Sequence, residues 1–373
     1  MSDAVEQVIV GKRKVSRRDF LKFCGLMAGT LALNSVYAAK IAKALSDPAR
    51  RLPVVWAEFQ DCAGCTEALL RASNPTVSEL VLDVLSVDYH ETIMAAAGKQ
   101  AEKSRDDAIK AGGYLLVVEG SIPKGANGGY CTIGGRSAVD LLMEAAAGAA
   151  AIVAVGNCAA FGGWPKAQGG PTDAYSVSEL LPDKTVMNLP GCPYNPVNLT
   201  AAVVHFLTFG ELPALDKLGR PLFAYGARIH DNCERRGHFD RGEFVKAWDD
   251  DGAKKGWCLY KMGCKGPVTY HNCPSVRFNE GTSWPVKAGH GCIACSEPGF
   301  WDLGIYNTAK IQEFAPPSAY APVQQPTRTI DPASAAMIGG AAGIAIGAAG
   351  AAAYAQLSKP DEEEAQPAAS EQK

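Results

Sequence analysis

The chain has no basic stripe interleaved with aromatic residues, and its 36 Lys and Arg are outnumbered by 39 Asp and Glu. Lacking such a footprint for phosphate backbones, it is not expected to bind nucleic acid. At 373 residues it also lacks the small size that drives secreted scaffolds to covalent staples, since a chain this long buries a full core unaided. Its twelve cysteines therefore need another explanation.

They are spread over many segments: Cys24, Cys62-x2-Cys65, Cys131, Cys158, Cys192, then His230-x2-Cys233-x24-Cys258-x5-Cys264 and Cys273-x18-Cys292-x2-Cys295. This is more sulfur than packing needs, and thiolate ligation of iron-sulfur clusters is the first reading.

Cys24 sits in a segment set apart from the rest. Ser16-Arg17-Arg18-Asp19-Phe20-Leu21-Lys22 precedes an apolar stretch over residues 23–39 and a small-residue site, Ala42-Lys43-Ala44. That order reads as a twin-arginine signal peptide cleaved after Ala44, with a basic surface helix as the alternative. Twin-arginine export carries folded proteins, so clusters can be inserted in the reducing cytoplasm beforehand. Removing residues 1–44 leaves 28 basic residues against 36 acidic ones, a net charge of about −8.

Charge is absent again over residues 333–357, a run long enough to span a bilayer as a helix. Gly339, Gly343 and Gly347 form a small-residue ridge suited to a partner helix. A single-span anchor is favoured over a flexible Ala/Gly tail. Residues 315–332 read as an extended linker and 358–373 as a polar tail.

Between leader and linker, the first half alternates apolar runs with helical stretches. The runs lie near residues 54–59, 85–89, 114–119, 151–155 and 185–189, the pattern of an α/β fold with a parallel sheet. Asn74-Pro75 and Asn195-Pro196 mark helix starts. Cys62 with Cys65, Cys158 and Cys192 each follow the carboxyl end of a run, the edge where open α/β sheets bind ligands. Three loops can thus gather four thiolates. A zinc site is the alternative for the four, and a thioredoxin-like redox pair for Cys62-Ala63-Gly64-Cys65 alone.

The second half, residues 229–314, lacks clear periodicity and is dense in Gly, Pro, His and Cys. Metal clusters can organise such a segment. Six thiols (Cys233, Cys258, Cys264, Cys273, Cys292, Cys295) fall short of the eight that two four-iron clusters need. One histidine ligand and one three-iron cluster resolve the count. His230 is the best-placed imidazole, while His271 and His290 also neighbour cysteines.

Asp61-Cys62-Ala63-Gly64-Cys65-Thr66-Glu67, Gly120-Ser121-Ile122-Pro123, Asn188-Leu189-Pro190-Gly191-Cys192-Pro193 and Trp284-Pro285-Val286 through Cys292-Ile293-Ala294-Cys295-Ser296-Glu297 together resemble the small subunit of membrane-bound nickel-iron hydrogenases. The likeness runs from the leader to about residue 310. It implies a flavodoxin-like domain over residues 45–228, followed by an irregular iron-sulfur domain. It assigns Cys62, Cys65, Cys158 and Cys192 to a proximal 4Fe-4S cluster. Cys273, Cys292 and Cys295 fall to a medial 3Fe-4S cluster, with Pro285 where a fourth ligand would otherwise stand. His230, Cys233, Cys258 and Cys264 fall to a distal 4Fe-4S cluster. Cys131 is left as an inert thiol, and residues 129–137 are not a phosphate loop, since Gly135 replaces its lysine.

The same resemblance places the Ni-Fe centre on a partner large subunit, whose R-x-C-G-x-C and D-P-C-x-x-C contexts do not occur here. This chain's task is then electron transfer to a membrane b-type cytochrome or other quinone-linked subunit, with a soluble multihaem cytochrome as the second choice. Further implied are the twin-arginine export machinery and a position on the periplasmic face of the cytoplasmic membrane, held by a C-terminal transmembrane helix. Oxygen-tolerant relatives carry extra cysteines at the positions of Gly64 and Gly163, so an oxygen-sensitive enzyme is expected. Gly291 is read as a flexible position that touches no ligand, and Arg235 and Arg236 as a docking rim or a solvated pair. Glu67 is read as a first-turn helix acid, with assistance to proton movement as the alternative. The competing readings are a proximal-cluster subunit of another quinone-linked complex and a membrane-tethered zinc module.

Overall fold

The structure, a computed structural model, describes residues 7–10, 13–46, 51–72, 85–279 and 281–303. Five strands form one parallel sheet: β1 (Leu52–Glu58), β2 (Leu85–His90), β3 (Leu115–Glu119), β4 (Ala151–Val155) and β5 (Val186–Leu189). These are the five expected apolar runs, shifted at their ends by one or two residues. Their spatial order is β2-β1-β3-β4-β5, the order of the flavodoxin-like doubly wound sheet, with its switch point between β1 and β3.

Strands β3 and β4 are buried at every position, as expected of strands covered on both faces. Val54, Trp56, Leu115 and Val117 enter the core on one face, and Val55, Leu116 and Val118 enter the core on the other. Each fully buried Val or Leu contributes about 1.5–3 kcal/mol relative to exposure, so register is strongly specified.

Helices α1 (Arg17–Thr30), α2 (Tyr37–Leu45), α3 (Gly64–Leu70), α4 (Lys99–Ala111), α5 (Ala138–Gly148), α6 (Gly156–Phe161) and α7 (Pro196–Phe209) accompany the sheet. Asn195 caps α7 by accepting from the Val197 amide at 3.0 Å, ahead of Pro196 at the first position. The other expected start, Asn74-Pro75, lies outside the described residues. Thr132–Ile133 pairs antiparallel with Arg136–Ser137 around Gly134 and Gly135, a hairpin rather than a phosphate loop.

The N-terminal apolar stretch folds as two helices packed on the body of the chain. Cys24, Met27 and Ile41 are fully buried in the core that contains Val54 and Leu199. Among the described residues, no helix is long and apolar enough to cross a membrane. The expected linker, anchor and tail lie outside the described residues.

From residue 229 onward the character changes. No described helix there exceeds the five residues of Arg236–Asp240. Its small core joins Ile229, Val245, Leu259, Trp284 and Val286 to two of the candidate ligands, Cys273 and Cys292.

Candidate metal centres

Cys62 and Cys65 follow β1, Cys158 lies in α6 directly after β4, and Cys192 follows β5. All are at carboxyl edges, as the sequence implied. Ala63 adopts a left-handed conformation (φ 57°), which starts α3 immediately after Cys62. The four thiols sense one another electrostatically: Cys65 faces Cys158 and Cys192, and Cys62 faces Cys158 and Cys192. Burial, reinforced by Cys192, pushes the Cys158 thiol up to about 12. Burial, then the Glu119 carboxylate, pushes Cys65 well above its ordinary value. Ligation must therefore displace protons, and a bound cation is what would hold these thiolates together.

Backbone close to the sulfurs is kept bare. A Cβ at Gly156 would stand 2.4 Å from Cys65 Sγ, and one at Gly163 would stand 2.4 Å from Cys158 Sγ. Gly163 also has φ +59°, which a side chain would strain.

The second region assembles two further groups. Cys273, Cys292 and Cys295 sense one another, each pushed up first by burial. His230, Cys233, Cys258 and Cys264 line one small cavity with Tyr260, Pro267 and Val286. Burial lowers His230 to about 4, so its imidazole is neutral near pH 7, the form that ligates metal.

The groups touch in series. The Cys192 backbone N–H faces Cys295 sulfur, and the Cys292 amide donates to Cys264 Sγ at 3.2 Å. Spacing separates single ions from clusters. A mononuclear zinc site with Zn–S near 2.3 Å puts its sulfurs about 3.8 Å apart. Among the described residues, the one set of three candidate donors within 4.8 Å of one another is Glu58, Asp61 and Glu119. Among the described residues, no three of the candidate thiols stand that close together.

Two family models match the chain: the NADH ubiquinone oxidoreductase 20 Kd subunit over residues 62–206, and the C-terminal part of the NiFe/NiFeSe hydrogenase small subunit over residues 225–306. The Hydrogenase-2 small chain of Escherichia coli K12 is 45% identical over 347 residues, 92% of this chain and 93% of that relative. The chain belongs to the nickel-iron hydrogenase small subunits. The quinone-reactive Ni/Fe-hydrogenase small chain of Wolinella succinogenes is 50% identical across 78% of this chain and 83% of its own length. A solved NiFeSe hydrogenase from Desulfovibrio vulgaris Hildenborough is similar with TM-score 0.65 and 36% identity, covering 70% of this chain and 98% of that one. As a hydrogenase small subunit, the chain serves electron transfer beside a large subunit that holds the Ni-Fe centre. The first family model reflects the architecture shared with quinone-linked complexes, and the second separates the two readings.

Sequence reasoning missed one residue and left the role of another open. Glu119, at the end of β3 and 2% exposed, accepts from the amides of Cys65 (3.0 Å) and Thr66 (3.1 Å), from Thr66 Oγ1 and from the Trp56 indole. It satisfies the open first turn of α3 and so fixes the Cys62/Cys65 loop. A carboxylate closing a buried strand was the available signal. His271, fully buried and lowered to about 3 by burial, lies 3.0 Å from Cys273 Sγ through Nδ1. A ligating thiolate only accepts, so Nδ1 carries the proton.

One smaller expectation changes, and two are refined. Gly291 does touch a ligand residue, because a Cβ there would lie 2.8 Å from Cys264 Cα. Pro285 is exposed, whereas Trp284 and Val286 on either side point inward. Arg235 donates to the Trp257 carbonyl at 2.8 Å, and Arg236 pairs with Asp240 and Asp231, so both are engaged within the chain. Glu67 occupies the first turn of α3, as expected. Cys131 is half-buried and pushed up to about 11 by burial, which suits an inert thiol.

Proposed function

We propose that this small subunit relays electrons between its large subunit and a membrane quinone-linked acceptor, using three cluster sites in series. Cys62, Cys65, Cys158 and Cys192 hold a proximal 4Fe-4S cluster. Cys273, Cys292 and Cys295 hold a medial 3Fe-4S cluster, and His230, Cys233, Cys258 and Cys264 a distal 4Fe-4S cluster. Bound clusters of this kind supply one-electron carriage.

The observation that carries this reading is the approach of successive ligand groups: the Cys192 backbone faces the Cys295 sulfur, and the Cys292 amide donates to Cys264 Sγ at 3.2 Å. The chain's own residues hold the ligands and shape their surroundings. Glu119 orients Cys65, His271 donates toward Cys273, and the Arg235 amide lies 3.4 Å from Cys233 Sγ. Hydrogen bonds to sulfur and a neutral imidazole ligand make a site less electron-rich and tune its potential. A b-type cytochrome is the acceptor of choice, supported by the quinone-reactive relative. Residues 1–44 serve as a twin-arginine leader and residues 333–357 as the anchor, placing the complex on the periplasmic face. Gly64 and Gly163 adjoin proximal thiols without supplying further sulfur, which supports an oxygen-sensitive enzyme. Sustained hydrogen oxidation under air would contradict that.

The test is metal and sulfide analysis with electron paramagnetic resonance on the complex purified from native membranes. About eleven irons for this chain, a three-iron signal and negligible zinc are expected. Zinc in place of iron would sink the proposal.

A further inference from the structure

Helix α7 reads PVNLTAAVVHFLTF, apolar on nearly every side, and a helix of that kind belongs in the middle of a packing arrangement. Leu199 and Val203 face the sheet, lining an apolar space with Val54, Trp56, Leu115 and Val117. The opposite side meets the N-terminal leader. There Val197 and Thr200 line a cleft of about 960 Å³ shared with Gly25, Leu26, Gly29 and Thr30. At the far end, the Phe209 ring lies 5.8 Å from the Tyr37 ring, and Lys40 Nζ sits 4.3 Å from its centroid. Thr200 and Val204 are consequently 2% and 1% exposed. The leader contributes Cys24, Met27 and Ile41, each fully buried.

We propose that the leader and the large subunit take turns on this outer face of α7. Loss of residues 1–44 would bare an apolar surface that water does not favour. That surface is continuous with the proximal loops, because the same cleft is lined by Gly64, Glu67 and Ala68. Of the eleven candidate ligands, Cys62 and Cys192 alone are exposed, which marks the side from which an electron-delivering partner approaches. Leu70 and Trp164, large apolar side chains near those loops, are 45% and 38% exposed. The partner that fits is the large subunit, since it must sit against these thiols.

One consequence concerns processing and rests on the reading of residues 1–44 as a leader. Ala42-Lys43-Ala44 lies within α2, with Ala44 7% exposed. Proteases act on exposed, unwound segments, so α2 must leave the body before the Ala44–Leu45 bond is hydrolysed. Docking of the large subunit, by displacing the leader, opens that bond.

Thr200→Cys and Phe209→Cys report on the two ends of the face, by thiol alkylation mapped to the peptide 196–209. Labelling is expected to be slow in the full chain, about tenfold or more faster in a chain starting at Leu45, and slow again once that chain is bound to the large subunit. Met27→Glu, which changes only the leader, is expected to bring the full chain to the fast rate. Equal protection in the chain from Leu45 alone, unchanged fast labelling in the heterodimer, or slow labelling with Met27→Glu would each overturn the proposal. N-terminal sequencing of the exported protein separately tests the leader. Cleavage elsewhere would refute that reading while the labelling still decides who covers α7.

Discussion

The sheet region and the region after residue 229 solve one problem, holding sulfurs in place, by opposite means. In the first, Cys62, Cys65, Cys158 and Cys192 stand just past strand ends that are fixed by parallel ladders and by two apolar cores. Those cores would persist without metal. In the second, helices are five residues or shorter, and Cys273 and Cys292 are themselves part of the core. Where ligands double as core, the metal is expected to supply folding free energy. On that expectation, one chain contains a preformed site beside sites that form with their occupant.

The most severe test removes the metal. Anaerobic iron chelation is expected to speed proteolysis within residues 229–303 by about tenfold or more, leaving the far-ultraviolet signal of the sheet largely intact. Simultaneous collapse of both would break the comparison. Next come two glycines, one from each region. Gly291→Ala drives a Cβ to 2.8 Å from Cys264 Cα, and Gly163→Ala combines a 2.4 Å clash with Cys158 Sγ and a positive φ. Each should cost about 1–3 kcal/mol. The Gly291 change is expected to reduce iron content, and the Gly163 change to perturb the proximal site while secondary structure survives. Thermal melts with iron analysis on both variants would read the difference.

A finer effect is expected from His271→Phe. Losing one sulfur hydrogen bond, worth about 1.4 kcal/mol at most, should lower the medial potential by on the order of 60 mV. Redox titration followed by electron paramagnetic resonance measures it, and an unchanged potential would show that the contact has no electronic role. Smallest of all, Pro285→Cys is expected to alter the three-iron signal, because Pro285 stands where the proposed medial cluster would otherwise take a fourth ligand. An unaltered signal would count against the medial assignment.

In the sheet region much was legible. Runs of Val, Leu and Ile bounded by Gly and Pro announce buried strands, and Asn195-Pro196 announces a helix start through local chemistry alone. The positions of the four cysteines followed from strand ends. Glu119 was not legible as a ligand-loop anchor, since its partners Cys65 and Thr66 lie more than fifty residues away in the chain. The role of Gly291 was missed for a similar reason: only folding brings Cys264 against it.

Sequence alone determined the strand runs, the cysteine inventory and the family motifs, because these are local patterns of side-chain type and spacing. Tertiary structure decided which thiols face one another, that Glu119 and His271 serve them, and that the N-terminal helices lie against α7. Such facts depend on contacts between distant segments, and these are chosen by the packing of the whole chain rather than by any stretch of it.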